Sequence, residues 1–169
     1  MKHSALTRSF IEQISKNQGI IHKICNIYCI NSEDKKDMMQ EITLQLWRAY
    51  PSFKGDSKFS TWMYRISFNT AITNIRKSKR SPLMEALFDS DQDIPEKEDF
   101  TELDDDVNML YKAISKLKEA DRAIILLYLE EKSYNEIAEI VGISEKNVSV
   151  KLVRLKKKLE KLLTLELKK

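Results

Sequence analysis

The sequence predicts an all-α protein: two small helical domains joined by an acidic flexible linker, the C-terminal one a helix-turn-helix. Three observations predict this. The 169 residues contain only three Gly and three Pro, which argues against a turn-rich β protein. Apolar residues recur every three and four positions along most of the chain, as on one face of a helix. The small net charge of +3 conceals blocks of opposite sign. Residues 1–80 carry 14 Lys/Arg against 6 Asp/Glu, residues 81–106 carry 1 against 11, and residues 107–169 carry 14 against 9. Two basic domains therefore flank an acidic segment, and basic surfaces attract phosphate backbones.

The first helix is predicted from about Ala5 to Ile30 and is rich in Ile: Ile20, Ile21, Ile24 and Ile27. Cys25 and Cys29 share one of its faces and, with His22, could supply three metal ligands. No fourth stands out, the only other histidine being His3. The pair reads as buried reduced thiols, with no metal and no disulfide. A second helix starts near Ser32, carries Met38, Met39, Ile42, Leu46 and Trp47 on one side, and ends before Pro51. A polar loop from Ser52 to Lys58 follows.

The third helix, from about Phe59 to Lys79, mixes aromatic, polar and basic residues. Met63, Ile66, Thr70 and Ile75 approximate its packing side, while Trp62, Arg65, Asn69, Thr73 and Arg76 recur along another face. That second face suits single-stranded nucleic acid: a ring stacks on a base, an amide reads its edge, and cations hold phosphates. The same pattern also fits Trp62 and Tyr64 as core residues beside merely solvating charges.

Residues 81–106 hold two prolines, few apolar residues and no sustained period, and read as a flexible interdomain linker. Such a segment serves as a solvated spacer, passes through a basic channel on a partner, or masks the chain's own basic faces.

Beyond it, residues 133–155 predict two helices and a tight turn. Ser133 and Glu136 form a capping box. Ile137, Ala138 and Val141 give the first of these helices an apolar side, and Gly142 supplies the positive φ of the turn. Ser144 caps the second helix, whose inward stripe is Val148, Leu152 and Leu155. Glu145, Lys146, Asn147, Ser149, Val150, Lys151 and Arg154 are left to face a partner. In a DNA-binding helix-turn-helix, such side chains enter the major groove.

No apolar run approaches the ~20 residues that span a bilayer. The N-terminus Met-Lys-His-Ser-Ala-Leu-Thr-Arg lacks the features of a secretory signal. A cytoplasmic protein without direct membrane insertion is expected.

In this order, the motifs resemble the extracytoplasmic-function sigma factors of bacterial RNA polymerase, over nearly the whole chain. Asp37-Met-Met-Gln-Glu-Ile-Thr-Leu-Gln-Leu-Trp-Arg-Ala-Tyr-Pro-Ser-Phe looks like the family's polymerase-binding helix. Phe53-Lys-Gly-Asp-Ser-Lys-Phe-Ser-Thr-Trp-Met-Tyr-Arg-Ile-Ser-Phe-Asn-Thr-Ala looks like its promoter-melting segment. Residues 114–128 match the helices that precede its second DNA-reading motif.

The resemblance implies a polymerase-binding domain over 1–80 that melts the minus-ten element, a linker over 81–106, and a minus-thirty-five domain over 107–169. It implies that Asp37, Gln40, Glu41 and Arg48 face the β′ clamp helices of core RNA polymerase, with the β subunit also a partner. Asn69 lies in or near the pocket for a flipped minus-ten base, which the loop from Lys54 to Phe59 helps enclose. Trp62, Arg65, Arg76 and Lys77 line the strand's path. Ser149, Val150, Lys151, Val153 and Arg154 approach the minus-thirty-five element, Ser149 standing where many relatives carry a second arginine. Promoter DNA and an anti-sigma factor are implied partners; a small-molecule substrate and a cofactor are not.

The rival reading is a stand-alone helix-turn-helix regulator, dimerising through Val148, Leu152, Leu155, Leu159 and Leu162. It leaves the segment from Asp37 to Phe53 and the Asn69 face unexplained. An enzyme is a weaker third, because no nucleotide-binding glycine loop and no nucleophile–base pair is evident.

Overall fold

The computed structural model describes residues 2–79 and 104–168. The chain divides into two compact units, Met1–Ile75 and Arg76–Lys169, and the division falls near the end of a long helix. Among the described residues there is no strand.

The first unit contains α1 (Lys2–Lys16), α2 (Gln18–Tyr28), α3 (Ser32–Ala49), a 3-10 turn at Tyr50–Ser52, and α4, which starts in this unit and spans Phe59–Lys79. The sequence led us to expect one helix where α1 and α2 stand. Asn17 breaks it. Its φ of −121° leaves the helical region, and its side-chain amide donates to the Gln13 carbonyl at 2.8 Å. An Asn side chain that binds nearby backbone competes with helix continuation in this way. α3 begins as the periodicity predicts, with Asn31 as its cap: the Asn31 Oδ1 accepts from the Asp34 amide at 2.8 Å. The first core joins Phe10, the Ile20–Tyr28 face of α2 with Cys29 just after it, Met38, Ile42 and Leu46 of α3, and Met63, Tyr64, Phe68 and Ala71 of α4.

On α4 the packing side differs from expectation. Thr61, Met63, Tyr64, Ser67, Phe68 and Ala71 are buried, whereas Ile66, Thr70 and Ile75 are only half-buried. The rings decide this orientation: Tyr64 stacks on Phe68 at 5.8 Å, and Phe68 meets Tyr28 of α2 edge-on at 6.3 Å. Ser67 and Ala71, both small, share the face that holds these rings.

The second unit contains α5 (Asp105–Ser115), α6 (Glu119–Leu129), α7 (Tyr134–Val141) and α8 (Glu145–Leu167). α8 packs against each of the other three. Its Val148, Leu152 and Leu155 meet a core of Ala113, Ile114, Leu117, residues 123–127, Ile137 and Ile140. Asp105 and Asp106 belong to the first turn of α5, where carboxylates complement the helix dipole. The last two residues of the linker expected over 81–106 thus belong to α5, and residues 81–103 of that expectation lie outside the described residues.

Candidate polymerase and nucleic-acid interfaces

The burial of Met38, Ile42 and Leu46 turns the opposite side of α3 outward, and Asp37, Gln40 and Arg48 are exposed there. Glu41 is half-buried, its Oε1 accepting from the Gln45 side chain at 2.7 Å. Leu44, absent from the predicted set, shares this outward face and is 40% exposed. Its signal was legible, since it continues the spacing of Asp37, Glu41 and Arg48 by three and four residues.

Along α4, Arg65, Asn69, Thr73, Arg76 and Lys77 are exposed. Trp62 is half-buried in an aromatic cluster, 5.1 Å from the Phe53 ring and 5.2 Å from Phe59. Phe53 also meets Phe59 edge-on at 5.5 Å. Tyr50 touches Phe59 and Trp62, and Phe10 joins Tyr50 to Trp47. The rings at both ends of the 53–59 loop are thus pinned to the start of α4. Lys54, Gly55 and Asp56 remain exposed at the tip, where Gly55 has a φ of 77°. Trp62 is therefore a wall of the loop's anchor as well as the head of the Arg65–Asn69 stripe.

Cys25 and Cys29 are buried, with His22 exposed beside them. Burial pushes the Cys25 thiol up to about 12, and the Cys29 thiol donates to the Asp34 carbonyl at 3.6 Å. Among the described residues no three His, Cys, Asp or Glu side chains gather as a metal site.

In the second unit, local chemistry builds the helix-turn-helix. The Ser133 hydroxyl accepts from the Glu136 amide at 3.1 Å, and the Glu136 carboxylate accepts from the Ser133 amide at 2.9 Å. Gly142 takes a φ of 80° and a ψ of 35°, and its amide closes α7 onto Ala138 at 2.9 Å. The Ser144 hydroxyl caps α8 by accepting from Asn147 at 3.2 Å. On α7 the buried residues are Ile137 and Ile140, while Ala138 and Val141 are half-buried.

On α8, Glu145, Lys146, Asn147, Val150, Lys151, Val153 and Arg154 are exposed and Ser149 is half-buried. Two of these side chains have partners within the domain. Lys151 pairs with Asp121 of α6 at 3.2 Å, and the Glu145 carboxylate accepts from Asn135 of α7 at 2.7 Å. Leu159 and Leu162, further along the stripe that the rival reading assigns to a dimer, are half-buried.

The sigma-70 region 2 model matches residues 13–81 and the sigma-70 region 4 model matches residues 108–159. The ECF RNA polymerase sigma-E factor of Escherichia coli (strain K12) is 34% identical over 138 residues, covering 71% of this chain and 70% of that protein. This chain belongs to the ECF sigma factors. The sigma-E factor of Haemophilus influenzae is 29% identical over 167 residues, covering 90% of this chain and 86% of its own.

Two solved structures share the fold. The sigma factor RpoE of Bartonella quintana, in complex with the anti-sigma factor NepR, gives a TM-score of 0.73 at 20% identity and covers 93% of this chain and 98% of its own. CnrH, in complex with the cytosolic domain of CnrY, gives 0.66 at 22% identity and covers 94% and 90%. As an ECF sigma factor, the chain is a polymerase-binding, promoter-recognition subunit, and the stand-alone regulator reading falls away. No helix among the described residues is long and apolar enough to cross a membrane.

Proposed function

We propose that this sigma factor grips core RNA polymerase with α3, captures a melted minus-ten strand on α4, and reads the minus-thirty-five duplex with α8. Asp37, Gln40, Glu41 and Arg48 meet the β′ clamp helices, with Leu44 as the apolar anchor among them. Asn69 holds a flipped base, Arg65, Arg76 and Lys77 carry the strand's phosphates, and the loop from Lys54 to Phe59 closes over the base. The observation that carries this reading is α4 itself: its buried aromatic face leaves the Arg65–Asn69–Arg76 stripe exposed along one side.

Flipping a base costs a few kcal/mol. Stacking of about 1–3 kcal/mol per base, with hydrogen bonds in the pocket, offsets that cost. Tethering this site to the duplex-reading domain multiplies two weak affinities. The chain itself performs no bond chemistry; nucleotidyl transfer belongs to the polymerase core. It works in the cytoplasm, where an anti-sigma partner occludes these faces. The support for that partner is that RpoE of B. quintana was solved with an anti-sigma factor.

Asn69→Ala tests the strand-capture role. Open-complex formation, read by permanganate reactivity of unpaired thymines, falls about tenfold, the loss of one or two good hydrogen bonds, while affinity for core polymerase holds. Equal loss of both would make Asn69 a folding residue.

A further inference from the structure

The outward pole of α8 carries two apolar residues between cations. At 3.6 residues per turn, Val150 and Val153 lie on the side opposite the buried Val148, Leu152 and Leu155. They are 44% and 56% exposed. Lys146, Arg154 and Lys157, all exposed, surround them. Two β-branched residues on a solvent-facing helix sacrifice helix propensity, and about half of each is left uncovered by their own domain. The cationic surround fits a polyanion, and the pole is continuous with the helix-turn-helix. In the major groove, the one methyl group that the base edges present among their donors and acceptors is the C5-methyl of thymine.

We infer that Val150 and Val153 read thymine methyl groups, so that the minus-thirty-five element of this sigma factor carries thymine, on either strand, at the two positions they face. The inference rests on the promoter-reading role of α8 and adds the base that the two valines select. Lys146, Arg154 and Lys157 hold the flanking phosphates without regard to sequence, whereas the valines supply discrimination that no charge provides. Discrimination by methyl burial is insensitive to salt, unlike the phosphate contacts.

The test uses holoenzyme reconstituted from the full chain and core polymerase. An upstream element is first selected from a duplex library randomised over the minus-thirty-five region. Each selected thymine is then replaced by deoxyuridine, which removes only the methyl. Binding should weaken about fourfold at one or two positions, the value of one buried methyl. In Val150→Ala/Val153→Ala, thymine and deoxyuridine duplexes should bind alike at those positions. Both substitutions are at exposed sites and raise helix propensity, and thermal unfolding confirms the fold. Indifference of the unaltered protein to deoxyuridine overturns the inference, as does a penalty that persists in the double variant. A variant that loses core affinity and keeps its base selection would make the pole a protein contact, which also overturns it. If the library yields no preferred element, the promoter-reading role of α8 falls and the inference falls with it.

Discussion

Leu44 is the exposed member of the apolar residues of α3 and, on the proposed reading, its polymerase anchor. Its neighbours on α3, Met38, Ile42 and Leu46, vanish into the core, whereas Leu44 stays 40% exposed between Gln40 and Arg48. An apolar residue ringed by polar ones is the arrangement of an interface hot spot. Leu44→Ala is therefore expected to weaken core-polymerase binding about tenfold, from roughly 1–2 kcal/mol of lost burial, with an unchanged melting temperature. A titration of fluorescent chain with core enzyme reads the first and a thermal melt the second; unaltered affinity removes Leu44 from the interface. At this scale the sequence was partly legible. The exposed Asn69 and Arg65 follow from helical spacing alone. The half-burial of Trp62 does not, because it depends on Phe53 and Phe59 closing a loop over it. Lys151 was equally opaque: its partner Asp121 lies thirty residues away on another helix.

At the scale of elements, what was readable is what is local. The capping box spans four residues and the Gly142 turn rests on one, so both stand in the sequence and in the structure. Glu131 also takes a left-handed φ, of 57°, but a glutamate gives no such signal. The break between α1 and α2 went unread although Asn17 and Gly19 mark it, because the Ile repeat runs on past them. Gly142→Ala meets no atom within 4 Å, so its cost is backbone strain alone, about 1–2 kcal/mol. Urea unfolding should show that loss in the second unit. An unchanged midpoint would mean the turn relaxes.

The link between α6 and α8 makes a second prediction at this scale. Asp121 neutralises Lys151 across their ion pair, so Asp121→Asn frees one cation for phosphate. The slope of log K against log salt for duplex binding should steepen by about 0.9, read by titrations at several salt concentrations. An unchanged slope would show that Lys151 stays off the phosphate backbone.

For the whole molecule, the fold class was legible because each unit is built from short-range helical patterns, whereas the order of functions came from the resemblance to the ECF sigma factors. The charge blocks put a boundary near residue 80, whereas the two compact units divide at Ile75/Arg76, within α4. What the sequence withheld was tertiary: that Tyr64 and Phe68, rather than Ile66 and Ile75, fill the buried side of α4, and that α5 already begins at Asp105. The central claim is that one chain joins a polymerase grip, a strand-capture helix and a duplex reader. Run-off transcription tests it most directly, with purified chain added to sigma-free core polymerase on promoter duplexes chosen by the holoenzyme. Initiation that depends on both the chain and the promoter is the predicted result. Failure to bind core or to initiate, together with tight specific binding of the chain alone to duplex DNA, would contradict it.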